Sequence, residues 1–99
     1  MDTRIYMFAK FQAKPDTQAE LLRRLEEMVT LTHKESGYVF YDLHVDRESN
    51  DTFYFMECWN DQEALDLHME TPYVQAIVRD APALTIAGID VSFMKRINP

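Results

Sequence analysis

A chain of 99 residues with 46% hydrophobic and 27% charged side chains is one globular domain, too short for a second core and too apolar for disorder. Seventeen Asp and Glu against ten Lys and Arg leave a net charge of −7, a field that repels phosphate backbones and excludes nucleic acid as an expected partner. Cys58 is the only cysteine, so there is no internal disulfide; with no apolar leader and no run of about 18 apolar residues, the expectation is a cytoplasmic protein with no membrane partner.

In chain order, Arg4 to Ala13 is rich in aromatic and β-branched residues. Ile5, Met7, Ala9 and Phe11 share one parity and Tyr6 and Phe8 the other, which predicts a strand with little polar surface on either face. Pro15 ends it, and Asp16 or Thr17 can cap a helix whose Leu21, Leu22, Leu25, Met28, Val29 and Thr32 recur at helical steps up to Gly37. Tyr38 to Asp46 and Thr52 to Trp59 read as two strands, joined by a short polar hairpin loop and therefore antiparallel. Asn60 can cap a short helix, with Glu63 three residues on and Leu65, His68 and Met69 on one face. Thr71-Pro72 restarts a helix, and a last strand is expected from about Ala87 to Arg96, after Pro82.

The order β-α-β-β-α-β is the ferredoxin-like α+β pattern, with helices on one face of a four-stranded antiparallel sheet. Strands that are apolar at both parities cannot leave the other face in water. A second sheet from another copy of the chain would cover it, so a homodimer is expected.

The sequence has no Gly-rich phosphate loop, Cys pair, nucleophile elbow or His-Glu-x-x-His spacing. His33, His44 and His68 are scattered, and no metal site is expected. Glu57 stands out, because it shares a parity with Phe53, Phe55 and Trp59 and so falls on a face that should be buried. A buried carboxylate needs a partner or takes a raised pKa. One reading pairs it with His68 as a proton-transfer couple, the carboxylate orienting the imidazole; the other has Glu57 satisfying backbone N–H groups while His68 packs. His44 lies between Asp42 and Asp46 on its parity, which fits a solvated strand end as well as a site. Trp59, Tyr6 and Tyr73 could each contact an aromatic or phenolic ligand, or pack.

The runs Lys34-Glu35-Ser36-Gly37-Tyr38-Val39-Phe40-Tyr41-Asp42-Leu43-His44, Phe55-Met56-Glu57-Cys58-Trp59, Glu63-Ala64-Leu65-Asp66-Leu67-His68 and Thr71-Pro72-Tyr73 resemble the antibiotic biosynthesis monooxygenase (ABM) domain family, from Ile5 to about Val91. The most specific piece is Glu-x-Trp, followed nine residues after the Trp by His and then Thr-Pro. The resemblance implies a dimeric α+β barrel with a cavity between sheet and helices of each subunit. It implies one of several activities: oxidation of quinols by O₂ without metal or flavin, isomerisation of small phosphorylated carbonyl compounds of the autoinducer-2 type, or heme degradation. The heme-degrading branch uses an Asn on the first strand and a His in the later helical region; neither Arg4 to Ala13 nor Val74 to Asp80 supplies one.

The expected function is therefore a cofactor-independent monooxygenase acting on a quinol or related phenol and O₂. His68 is its base, Glu57 holds His68, and Trp59, Phe55, Tyr6, Tyr73 and His44 bind substrate. The alternatives are the isomerase, for which Arg79, Lys95 or Arg96 would have to hold the phosphate, and a non-catalytic metabolite-binding dimer.

Overall fold

In the computed structural model, which describes residues 2–99, alternating apolar side chains make Ile5–Ala13 a strand, β1. It is followed by helix α1 (Gln18–Thr32), strands β2 (Tyr38–Val45) and β3 (Thr52–Trp59), helices α2 (Gln62–Met69) and α3 (Pro72–Leu84), and strand β4 (Thr85–Met94). The strands form one antiparallel sheet in the order β2-β3-β1-β4. This is the expected ferredoxin-like α+β architecture.

Several local expectations are corrected. The cap of α2 is Asp61, one residue after Asn60: its carboxylate accepts from the Ala64 N–H at 2.9 Å, while the Asn60 N–H ties the preceding turn to the Gly37 carbonyl at 2.9 Å. Thr17 stands at the N-cap of α1 without capping it; its hydroxyl accepts from the Lys14 N–H and donates to the Leu84 carbonyl at 2.7 Å, tying the start of α1 to the end of α3. Thr71 caps α3 as expected, with Pro72 in its first turn. Pro82 falls in the final turn of α3, where the missing N–H costs only one hydrogen bond, and the last strand follows it, two residues earlier than expected. β4 thus starts at Thr85. Its register on β1 jumps between Ile89 and Thr85, and Gly88 absorbs the irregularity at φ +80°, a conformation other residues rarely adopt.

The odd positions of β1 and β3 face the helices, and Tyr41 and Leu43 of β2 join them. A register shift between Tyr38 and Phe40 pairs Tyr38 with Trp59 and Phe40 with Cys58, so the alternation of β2 is broken near residue 39 and Phe40 turns to the other side. Leu21, Leu25 and Met28 of α1, and Val74, Ile77 and Leu84 of α3, close the core over the sheet. Each contributes roughly 1.5–3 kcal/mol by leaving water. The opposite face carries Tyr6 against Phe40 at 6.2 Å and Phe8 against Tyr54 at 5.4 Å, on the side away from the core that α1 and α3 close.

Candidate active site

The helices do not fill the inner face completely. A cavity of about 210 Å³ remains between the sheet, α1, α2 and α3, with walls of apolar side chains such as Phe11, Met28 and Phe55. Its polar groups are Glu57, His68 and the Tyr41 ring, and its rim runs through Met69, Val78, Ile89 and Val91.

Glu57 reaches this cavity because β3 places it opposite Met7 on one side and Tyr41 on the other, both on the inner face. It is 3% exposed. Its Oε1 accepts a hydrogen bond from the Trp59 indole Nε1 at 3.0 Å. Burial pushes its carboxyl up to about 7; the Trp59 N–H opposes that shift and the negative charge of Glu35 adds to it.

His68 arrives from α2, whose inner face also carries Leu65. Its ring lies over the Trp59 indole at 4.3 Å and meets the Tyr41 ring edge-on at 5.3 Å. The Nδ1 atom sits 2.9 Å from Oε2 of Glu35, while Nε2 has no hydrogen-bond partner among the described residues. Burial lowers the imidazole pKa and the Glu35 carboxylate opposes the shift, so the site favours the neutral ring. With Glu35 ionised, Nδ1 carries the proton and donates it, leaving the lone pair on Nε2.

Glu35 is the residue that sequence reasoning missed. It follows α1 in the segment before β2, and its Oε2 also accepts from the Tyr73 hydroxyl of α3. Burial, together with that bond and the charge of Glu35, pushes the Tyr73 hydroxyl up to about 12, so it remains a donor. Gly37 is what brings this segment in: a Cβ there would overlap the Ala64 side chain of α2, so only glycine lets the two backbones approach so closely. Glu57 therefore does not hold His68. The two share the cavity wall, each bonded to a different partner.

The other expected site residues divide. Phe55 lines the cavity, in contact with Tyr41 at 4.5 Å and Phe11 at 5.9 Å. Trp59 is fully buried behind Glu57 and His68 and supports both without lining the cavity. Tyr73 contacts the site through Glu35. Tyr6 is on the opposite face of the sheet, since even positions of β1 point away from the helices, and His44 is exposed on that same face near the far end of β2. His33 is exposed, stacked on Tyr38 at 5.0 Å. Arg79 is exposed and bonded to Asp80, and Lys95 and Arg96 lie beyond β4; none of the three lines the cavity. Among the described residues no three His, Cys, Asp or Glu side chains are grouped to hold a metal ion, and no helix is long and apolar enough to cross a membrane.

The sequence profile of the antibiotic biosynthesis monooxygenase family matches residues 4–80, a span that contains Glu35, Glu57, Trp59 and His68. The chain belongs to that family. A protein of Bacillus subtilis, YcnE, provisionally named a monooxygenase, is 31% identical over 87 residues, covering 88% of this chain and 92% of that protein. The protein sll1783 of Synechocystis is 27% identical over 94 residues, of whose length this ABM chain spans 64%. Among solved structures, PA3566 from Pseudomonas aeruginosa superimposes with a TM-score of 0.90 at 31% identity, over 99% of this chain and 98% of that one.

Proposed function

We propose that this ABM protein is a cofactor-independent monooxygenase that oxidises a small quinol or electron-rich phenol with O₂. The observation that carries the reading is an apolar, aromatic-walled cavity with an imidazole of lowered pKa and a carboxyl of raised pKa on one wall. An apolar pocket with few convergent polar groups and perturbed pKa values is where such chemistry is expected. At about 210 Å³ the space is below the roughly 300–1,000 Å³ of pockets for drug-sized ligands, which favours a substrate of one or two rings.

His68 Nε2 removes the phenolic proton, breaking O–H and forming N–H, and the phenolate passes electrons to O₂. One oxygen atom enters the ring and the other leaves as water, while the quinol becomes a hydroxyquinone; the substrate itself is the reductant. Glu57, with a carboxyl pushed up to about 7, is partly protonated near neutrality and donates to the departing oxygen. Exclusion of water keeps the phenolate reactive toward O₂. The protein acts as a homodimer in this reading, a second copy covering the aromatic side chains Tyr6, Phe8, Phe40 and Tyr54 on the free sheet face.

The lack of a cation on the cavity wall among the described residues favours this over isomerisation of a phosphorylated carbonyl compound. The test is O₂ consumption by metal-stripped protein with a panel of reduced quinols, corrected for autoxidation, beside His68→Ala. We expect the variant to lose roughly 10²–10⁴-fold in rate with its fold intact. Full activity in His68→Ala refutes the base. No uptake across the panel, with quinols that raise Tm in proportion to their occupancy, makes the protein a binding module instead.

A further inference from the structure

We infer that Glu35 and His68 form a proton route through the wall of the cavity, joining it to a separate surface cleft, with Glu35 as a positioning residue that also exchanges protons with water. The inference rests on reading His68 as the base and adds how its proton leaves a site that must stay dry.

The cleft lies on the far side of α2 from the cavity, with a volume of about 400 Å³. Glu35, Ser36, Asn60 and Thr71 line it. His68 lines the cavity and not the cleft, whereas Glu35 lines the cleft and not the cavity. The 2.9 Å contact between Nδ1 and Oε2 is therefore where the wall is crossed. The Glu35 side chain is 18% exposed against 3% for His68, so only the outer member of the pair meets bulk water.

Chemically, the pair moves a proton without placing a lasting positive charge on the ring; its net charge goes from minus one to zero as the proton enters from the cavity and back to minus one as it leaves to the cleft. As Nε2 takes a proton from an acid in the cavity, the Nδ1–H bond breaks and the proton passes to Oε2. Imidazole ends as the other neutral tautomer and Glu35 as a carboxylic acid, which releases the proton to cleft water. No buried imidazolium persists, which burial at 2% exposure would penalise. The groups facing the ring from the packed elements fit this direction of flow. Glu57 on β3 and Tyr41 on β2 stand on the cavity side, Trp59 covers one ring face, and the Tyr73 hydroxyl on α3 bonds Oε2 on the outer side. The Thr71 hydroxyl donates to the His68 carbonyl at 2.7 Å and fixes the ring's backbone at the same boundary.

The experiment is ¹⁵N NMR of the His68 ring in the full-length protein without substrate, as a function of pH, for wild type and Glu35→Gln. The expected wild-type spectrum is a neutral ring protonated on Nδ1, with that proton exchanging with solvent. In Glu35→Gln the ring should titrate at lower pH than in wild type, because the carboxylate that favours the imidazolium is gone, and exchange of the Nδ1 proton should slow. A wild-type ring protonated on Nε2, or an exchange rate unchanged by Glu35→Gln, overturns the route even in an active enzyme. These spectra do not depend on turnover, so absence of O₂ uptake counts against the proposed activity alone. Should Glu35→Gln fail to fold, exchange of the wild-type Nδ1 proton decides: exchange no faster than that of amides in the buried core overturns the route.

Discussion

Replacing Glu57 by Gln should make the protein more stable at alkaline pH and leave it nearly unchanged in acid. The side chains are close in shape, and the Gln carbonyl oxygen can still accept from the Trp59 indole, so the substitution removes the ionisable proton and little else. In the folded protein the carboxyl is pushed from 4.5 up to about 7. A native pKa above the unfolded one means that the fold binds this proton more tightly. Stability is then fully present below about pH 4.5, falls as pH rises, and levels off above about pH 7. The rise corresponds to roughly 3 kcal/mol, and at 3% exposure solvent screening removes little of it. For a domain this size that is a difference in Tm of roughly 10 °C or more. Urea unfolding followed by circular dichroism, at one protein concentration and several pH values, gives the stability difference between variant and wild type, in which titrations uncoupled to Glu57 cancel. A difference constant to within about 0.5 kcal/mol between about pH 4.5 and pH 8.5 would show that Glu57 does not titrate as its burial requires, and with it the proton donor assigned to the departing oxygen would be lost.

Two further outcomes follow from the packing around the site. Gly37→Ala should cost about 1–3 kcal/mol by overpacking against Ala64, and adding Ala64→Gly should recover part of that despite the roughly 1 kcal/mol penalty of a helical glycine; strictly additive effects in the double-mutant cycle would refute the close approach. Trp59→Phe removes the donor that steadies the ionised carboxylate, so the Glu57 pKa, read from its side-chain ¹³C shift, should rise above the wild-type value. A lower or unchanged value would mean that the indole bond is not formed.

The architecture and the inner parity of β3 were legible because both rest on local patterning. Phe53, Phe55, Glu57 and Trp59 alternate without interruption, and a two-residue period with one polar member states which face is unusual. The break at Thr71-Pro72 was legible for the same reason, through capping chemistry. The parity of Tyr6 and His44 was equally readable, but nothing local says which side of a sheet apolar on both faces encloses the cavity. The partner of His68 was beyond such patterning altogether. Glu35 is 33 positions away, in a polar segment that reads as solvated, and its approach depends on Gly37 meeting Ala64 in three dimensions. Glu57 looks like the partner because its parity puts a carboxylate on the buried face nearby; its own need for a donor is met by Trp59, two residues along the same strand.

Trp59 is the only tryptophan in the chain. Its indole lies over the His68 ring and donates to Glu57, so its excited state is in direct contact with both groups that titrate on the cavity wall. A protonated imidazole or a carboxylic acid at such distances accepts electron density from an excited indole, and so the emission of the native protein becomes an optical record of the ionisation of its own site. Unlabelled protein in a cuvette thereby reports, without any added dye, whether a molecule entering between sheet and helices has altered either charge.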